Sequence, residues 1–208
     1  MNDQNGTEKV KRIIQRLLLA VAVILVSPLI LMSKLSSLFG SNEFFTTGGC
    51  LLALLPGRFG SIMRLAYYRA TLESVSYNVA IGFGSYFSRR DVVLGRNVSI
   101  GAYCILGDVT LNDRVLLASR VSIPSGKRQH SMRYDNDNPS DETIFDHVTI
   151  GCDSWIGEGA IIMADIGERC IVSAGSVVTR AMPSNRVIAG NPARVLPETS
   201  ASTSNSKL

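Results

Sequence analysis

From Leu94 to Val178 an aliphatic residue returns every six positions. Leu94-Gly95, Ile100-Gly101 and Leu106-Gly107 set the period, and Leu111, Leu117 and Ile123 continue it after one hexad shortened by a residue. The run resumes at Ile144, Ile150-Gly151, Ile156-Gly157 and Ile162, then closes, after a shorter step, with Ile166-Gly167, Val172 and Val178. A helix repeats its apolar face about every 3.6 residues and a strand every 2, so neither explains six. A six-residue repeat predicts a prism. Each hexad supplies one short strand and a corner, three hexads close a coil, and the coils stack in parallel with the aliphatic side chains inside. Glycine straight after the inward residue suits a sharp corner, where a left-handed backbone is cheap without a Cβ.

The polar pattern divides the rest of the chain. The repeat is expected over residues 75–197 and is interrupted at 124–143 by PSGKRQHSMRYDNDNPSDET, which is charged and has no period. An irregular stretch of that length inside a compact domain is uncommon and usually functional. The Ser/Thr-rich residues 198–208 read as a disordered tail. Residues 1–74 differ in kind. Lys9, Lys11, Arg12 and Arg16 precede an apolar run from Leu17 to Met32, broken only by Ser27-Pro28. That run is slightly short for a relaxed span of ~20 residues. No Ala-x-Ala-like cleavage site follows it. Instead come Lys34, a second apolar patch at Phe44-Phe45 and Cys50 to Leu55, and then Arg58, Arg64 and Arg69 among Leu65, Tyr67 and Tyr68. Apolar stretches with basic flanks on both sides predict a monotopic anchor or re-entrant hairpin. A hydrophobic helix packed in a larger assembly is the alternative. An open prism end also needs a cover, and this segment could supply one.

Composition narrows the function. Charged residues make up 18% of the chain, below the ~25% usual for globular proteins. The net charge of +4 is modest and lacks the aromatic interleaving of single-strand nucleic-acid binders. It fits a membrane surface or a phosphate better than DNA. Cys50, Cys104, Cys152 and Cys170 stand far apart, so neither a zinc site nor a redox pair is indicated. Cys104 and Cys170 each follow an inward aliphatic by four positions, where a small buried residue suits a coil wall.

The segments VTIGCDSWIGEGAIIM and IGERCIVSAGSVVTRAMPSNRVIAGNPARV, with SGKRQH ahead of them, resemble the hexapeptide-repeat acyltransferases, specifically the sugar and small-molecule O-acetyltransferases, over roughly residues 77–197. The resemblance implies a mainly β fold, a left-handed parallel β-helix assembled as a homotrimer, with the N-terminal hydrophobic helical segment added. It implies acetyl-CoA as donor, no permanently bound cofactor or metal, and direct transfer in a ternary complex. His130, about twenty-five residues before the WIG motif, matches the family's catalytic histidine. An imidazole with pKa near ~6.5 suits a base for an alcohol at neutral pH. Asp135, Asp137 and Asp141, or a backbone carbonyl, could orient it. The other histidine, His147, reads as a corner or solvent-facing residue. Acetyl-CoA contacts carry over to Trp155, Gly157, Gly159, Ala174, Gly175 and Thr179, with Arg180 and Arg194 for the phosphates.

The chain departs from the pattern between Ile162 and Ile166, where two residues of a regular coil are missing. No sugar-binding asparagine carries over either, so the acceptor pocket stays unread. The expected acceptor is a carbohydrate: a surface polysaccharide or its lipid-linked precursor, met at the cytoplasmic face of the inner membrane, where acetyl-CoA is available. A soluble small acceptor (serine, an antibiotic or a free sugar) is the alternative. A γ-type carbonic anhydrase needs three histidines per zinc, and two are present.

Overall fold

The computed structural model describes residues 3–125, 133–135, 138–140 and 146–197. His130, Asp137, Asp141 and Ile144 fall outside them, as does the tail from residue 198.

Three helices open the chain: α1 (Asp3–Ser37), α2 (Glu43–Ala53) and α3 (Gly57–Thr71). The repeat then winds about six turns. β1 (Ser74–Val75), β2 (Ala80–Ile81) and β3 (Tyr86–Phe87) make the first coil, and β4 (Val92–Leu94), β5 (Ser99–Ile100) and β6 (Ile105–Leu106) the second. β7 (Val109–Leu111), β8 (Leu116–Leu117) and β9 (Ser122–Ile123) make the third. The insert contains β10 (Arg133–Asp135) and β11 (Asn138–Ser140). β12 (Val148–Ile150), β13 (Trp155–Ile156) and β14 (Ile161–Ile162) form the fourth coil, followed by β15 (Ile171–Val172) and β16 (Val177–Val178). β17 (Val187–Gly190) and β18 (Ala193–Val195) close the stack as an antiparallel pair.

The coils stack into three parallel faces. The first is β1-β4-β7-β12, the second runs from β2 through β5, β8, β13 and β15 to β17, and the third is β3-β6-β9-β14-β16. Every inward aliphatic of the repeat within the described residues is buried, each contributing ~1.5–3 kcal/mol relative to exposure. This bears out the parallel β-helix with its helical N-terminal segment. Where two residues are missing, the first face continues without a strand: Ile166 makes single bridges to Ile150 and Met182, and it stays in the core.

The corners correct one expectation. The glycine after the inward residue is not the left-handed one. Left-handed φ falls two residues later: at Asn97, Arg114, Asp153, Arg169 and Asn185 between the first and second faces, and at Gly84, Tyr103, Arg120, Gly159 and Gly175 between the second and third. The glycine next to the inward residue answers a different constraint. A Cβ on Gly157 would lie 2.5 Å from Ala174 N and 2.7 Å from Val172 O, both backbone of the next coil. Stacking distance, not φ, excludes the side chain there. Buried serines tie the corners together: Ser154 Oγ donates to Gly167 O (2.8 Å) and accepts from the Cys170 N–H (3.0 Å). Cys104 and Cys170 are buried in the coil wall as expected, and burial raises the Cys104 thiol pKa.

The helices cap the first coil. Arg64, read from sequence as a basic flank, is 1% exposed. Its Nε donates to Ile81 O (3.1 Å) and its Nη1 to Leu52 O (2.9 Å) and Leu55 O (2.8 Å). β2 is an edge strand, so the guanidinium satisfies an edge carbonyl that no coil below can reach. Burial lowers the Arg64 pKa. Phe45, Tyr67, Tyr68 and Phe87 pack edge-to-face beside it. Arg90 lies over the Phe45 ring and donates to Asn42 Oδ1 (2.9 Å) and Ser33 O (2.8 Å), tying α1 to the solenoid. Within α1, Pro28 cannot donate to Ile24 O, and the Ser27 hydroxyl donates there instead (2.8 Å). α1 leaves Leu17, Val21, Ile24, Leu25 and Leu31 exposed. Its Arg16–Ser37 stretch of 22 residues, mean hydropathy 2.4, is long and apolar enough to cross a membrane.

Candidate active site

Five of the eight residues expected at the donor meet at one edge of the prism. Trp155 points outward from β13, paired with Leu116 below and Ile171 above, and is 49% exposed. The chain turns from the second to the third face at Gly157-Glu158-Gly159, and one coil later at Ala174-Gly175. Gly159 and Gly175 have φ of +68° and +67°, and open space lies where their side chains would be. The N–H groups of Gly157, Gly159 and Gly175 donate to Val172 O, Ser119 O and Glu158 O, at 2.7, 3.0 and 2.8 Å. These glycines therefore present a shallow backbone surface, not spare donors.

The other three lie elsewhere on the same chain. Thr179 and Arg180 follow β16 and turn from the third face to the first, one face-width from Gly175. Arg194 is exposed on the terminal hairpin, with Nη1 donating to its own neighbour Ala193 O (2.9 Å). One chain does not assemble all eight around one cavity.

The insert leaves from the corner that carries Thr179 and Arg180, two coils lower. Ser125 O accepts the Asp146 N–H (3.0 Å), closing its stem, and Ser125 Oγ accepts the Asp108 N–H (3.0 Å). Sequence suggested no regular structure there, but β10 and β11 pair antiparallel with Tyr134 opposite Pro139. His147 stands at the returning stem. Its Nδ1 meets Asp108 Oδ1, and its Nε2 lies 2.9 Å from Thr110 Oγ1. It is a half-exposed corner residue, as expected, but both ring nitrogens are engaged. It braces the returning chain against coil three. The partners are 37 and 39 positions away across the insert, so no local sequence signal announced them.

Charge at the corners runs from coil to coil. Arg96 pairs with Asp113, Arg114 with Asp153, and Arg120 with Glu158. The Arg96 and Arg114 guanidiniums hold the Asp113 and Asp153 carboxyls below the usual carboxylate range by hydrogen bonding. Among the described residues no three His, Cys, Asp or Glu side chains cluster as a metal site.

No protein-family model matches the chain. It is 34% identical over 121 residues to a galactoside O-acetyltransferase of Escherichia coli K12, a match covering 54% of this chain and 57% of that protein. The chain thus spans little more than half of that relative. It is 32% identical over 151 residues to a putative lipopolysaccharide biosynthesis O-acetyl transferase, WbbJ, of the same strain, covering 65% of this chain and 77% of that protein. Its fold matches a galactoside acetyltransferase solved in complex with coenzyme A at TM-score 0.58 and 25% identity, over 71% of this chain and 76% of that one. The six-residue period, the stacked parallel coils and these likenesses agree: the chain belongs to the hexapeptide-repeat acyltransferase family.

Proposed function

We propose that this chain transfers an acetyl group from acetyl-CoA to a sugar hydroxyl of a surface polysaccharide or its lipid-linked precursor, at the cytoplasmic face of the inner membrane. Family membership supports the reaction. The observation that carries the site is the open two-coil corner at Gly159 and Gly175 beside the exposed Trp155. An extended pantetheine arm can lie against such a backbone surface. Thr179 and Arg180 stand on a different corner and Arg194 on the hairpin, so a donor groove using all eight residues needs two chains. The outward stripe of Leu116, Trp155, Ile171 and Val187 on the second face supports a homotrimer, in which one chain's corner meets the next chain's face. Arg180 and Arg194 then serve the phosphates of coenzyme A.

His130 acts as the base. It accepts the proton of the acceptor hydroxyl as that oxygen attacks the thioester carbonyl. The C–S bond then breaks, and the imidazolium returns the proton to the departing thiolate. The acceptor class rests on α1 and its exposed apolar face, which hold the enzyme beside lipid-carried sugars.

The test is thiol release from acetyl-CoA by the full chain with a panel of free sugars, serine and lipid-linked oligosaccharides. Acceptor-dependent release is expected to be largest with lipid-linked sugar and to fall about 10²–10⁴-fold in His130→Ala. Release unchanged in that variant refutes the base. A response confined to soluble acceptors refutes the acceptor class.

A further inference from the structure

The α1–α3 interface opens into a groove of about 580 Å³, within the ~300–1,000 Å³ range of small-molecule sites. Its walls are apolar: Leu19, Ala20 and Val23 on α1, Ala66 and Ala70 on α3. The alanines keep the facing helix surfaces short and leave room between them. Its mouth is cationic. Arg16 and Arg69 both line it, beside Tyr77 of the first coil, and no carboxylate lines it among the described residues. Arg69 is held in place before any ligand arrives, with Nη1 donating to Val75 O (2.8 Å) and its guanidinium carbon 3.4 Å over the Tyr77 ring.

We propose that this groove binds a single-chain lipid phosphate, its headgroup between Arg16 and Arg69 and its chain along Leu19 and Val23. A guanidinium fork matches phosphate oxygens. A bare phosphate has no use for the apolar slot, and a neutral alkyl chain has none for two arginines. The position agrees: Arg16 is the first residue of the apolar stretch, and the groove lies on the helix whose Leu17, Val21 and Ile24 are exposed, the face suited to a lipid surface. This site is on the first coil, away from the donor corner of coils four and five, and does not depend on the transfer reaction.

The experiment is photolabelling of the full chain in zwitterionic nanodiscs with a diazirine-bearing long-chain alkyl phosphate, with crosslinks mapped by mass spectrometry. Labelling is expected on residues 16–23 and 66–70. A long-chain alkyl phosphate should displace it, and neither inorganic phosphate nor an alkyl maltoside of equal length should. Arg16→Gln should lower it about ten-fold through loss of a charge-assisted bond, and Ala70→Leu, which fills the slot, should lower it as well. Labels spread along the exposed face of α1, or labelling unchanged in both variants, would overturn the site. Equal displacement by a two-chain anionic phospholipid would overturn the single-chain occupant, and equal displacement by inorganic phosphate would overturn the lipid.

Discussion

Gly157 and Gly159 lie two residues apart, yet the structure assigns them different tasks, and alanine at each separates the two. At Gly157 the new methyl would press on Ala174 N at 2.5 Å and Val172 O at 2.7 Å. Both are backbone atoms of the next coil and cannot rotate away. Coil five must lift, straining the 2.7 Å bond from Gly157 N to Val172 O. Overpacking costs ~1–3 kcal/mol and the weakened bond ~1 kcal/mol, together about 2–4 kcal/mol. At Gly159 nothing lies within 4 Å and only φ, at +68°, objects. A left-handed alanine costs ~1–2 kcal/mol, and the stiffer unfolded chain returns ~0.4–1 kcal/mol, leaving about 0–1.6 kcal/mol. For a chain of this size 1 kcal/mol moves Tm by roughly 2–4 °C. Thermal unfolding at fixed protein concentration should therefore fall by about 4–16 °C in Gly157→Ala and by about 0–6 °C in Gly159→Ala. Equal losses, or a larger loss at Gly159, would refute the stacking argument and restore backbone handedness as the reason for the repeat's glycine.

Arg64→Met should lower the urea-unfolding midpoint by an amount worth about 2 kcal/mol or more, because Ile81 O and Leu55 O lose the guanidinium donor and Leu52 O keeps only the Leu55 N–H; an unchanged midpoint would mean the cap stands without it. The Asp113 and Asp153 carboxyls titrate below their unfolded value of ~3.9, so their stabilising share is complete above about pH 4 and fades as pH falls through the lower folded values. Urea midpoints should accordingly vary little from these groups between roughly pH 5 and 8, and Asp153→Asn should flatten part of the acid limb. On the proposed donor site and trimer, Trp155→Ala should raise the KM for acetyl-CoA and shift sedimentation toward monomer; a change in neither would remove Trp155 from both roles. Cysteines placed at Tyr77 and Lys34 in a cysteine-free chain should react with a membrane-impermeant thiol reagent from the same side; labelling from opposite sides would mean that α1 spans the bilayer.

The solenoid was legible because its core is written in register. One inward residue per hexad fixes strand, face and coil together, and each described member of the series is buried. The corners were less so. Arg114, Asp153 and Arg169 adopt left-handed φ without being glycine, and each donates its N–H to the neighbouring coil, at Arg96 O, Asp113 O and Cys152 O, bonds that local propensity does not contain. Arg114, for one, grips Asp153 thirty-nine residues on. Arg64 was read by composition as a membrane flank, and only tertiary contact with Ile81 reveals a buried cap. The antiparallel pair of Arg133–Asp135 and Asn138–Ser140 was hidden because strand alternation is absent from RYD and NPS. Of the site, the Trp155–Gly175 corner follows from the motifs, whereas the separation of Thr179, Arg180 and Arg194 from it is a property of the winding that spacing alone does not express.

The way α1 is tied decides how such an enzyme could face a membrane. Arg16, at one end of the apolar stretch, lines a groove with Tyr77 of the first coil. Ser33, near the other end, accepts from Arg90, which closes that same coil. Seventeen residues of helix are ~25 Å long, and both ends touch one layer of a stack whose layers are ~4.8 Å apart. A helix crossing a bilayer must put those ends on opposite sides of ~30 Å of hydrocarbon, which would drag the first coil in with it. A helix lying along the surface needs no such distortion: its exposed Leu17, Val21 and Ile24 enter the lipid, and the solenoid rises from the base that Arg64 seals. On the proposed function, that geometry would keep the coils of the candidate donor site in the compartment that holds acetyl-CoA, with the groove beside Arg16 and Arg69 facing the lipid surface.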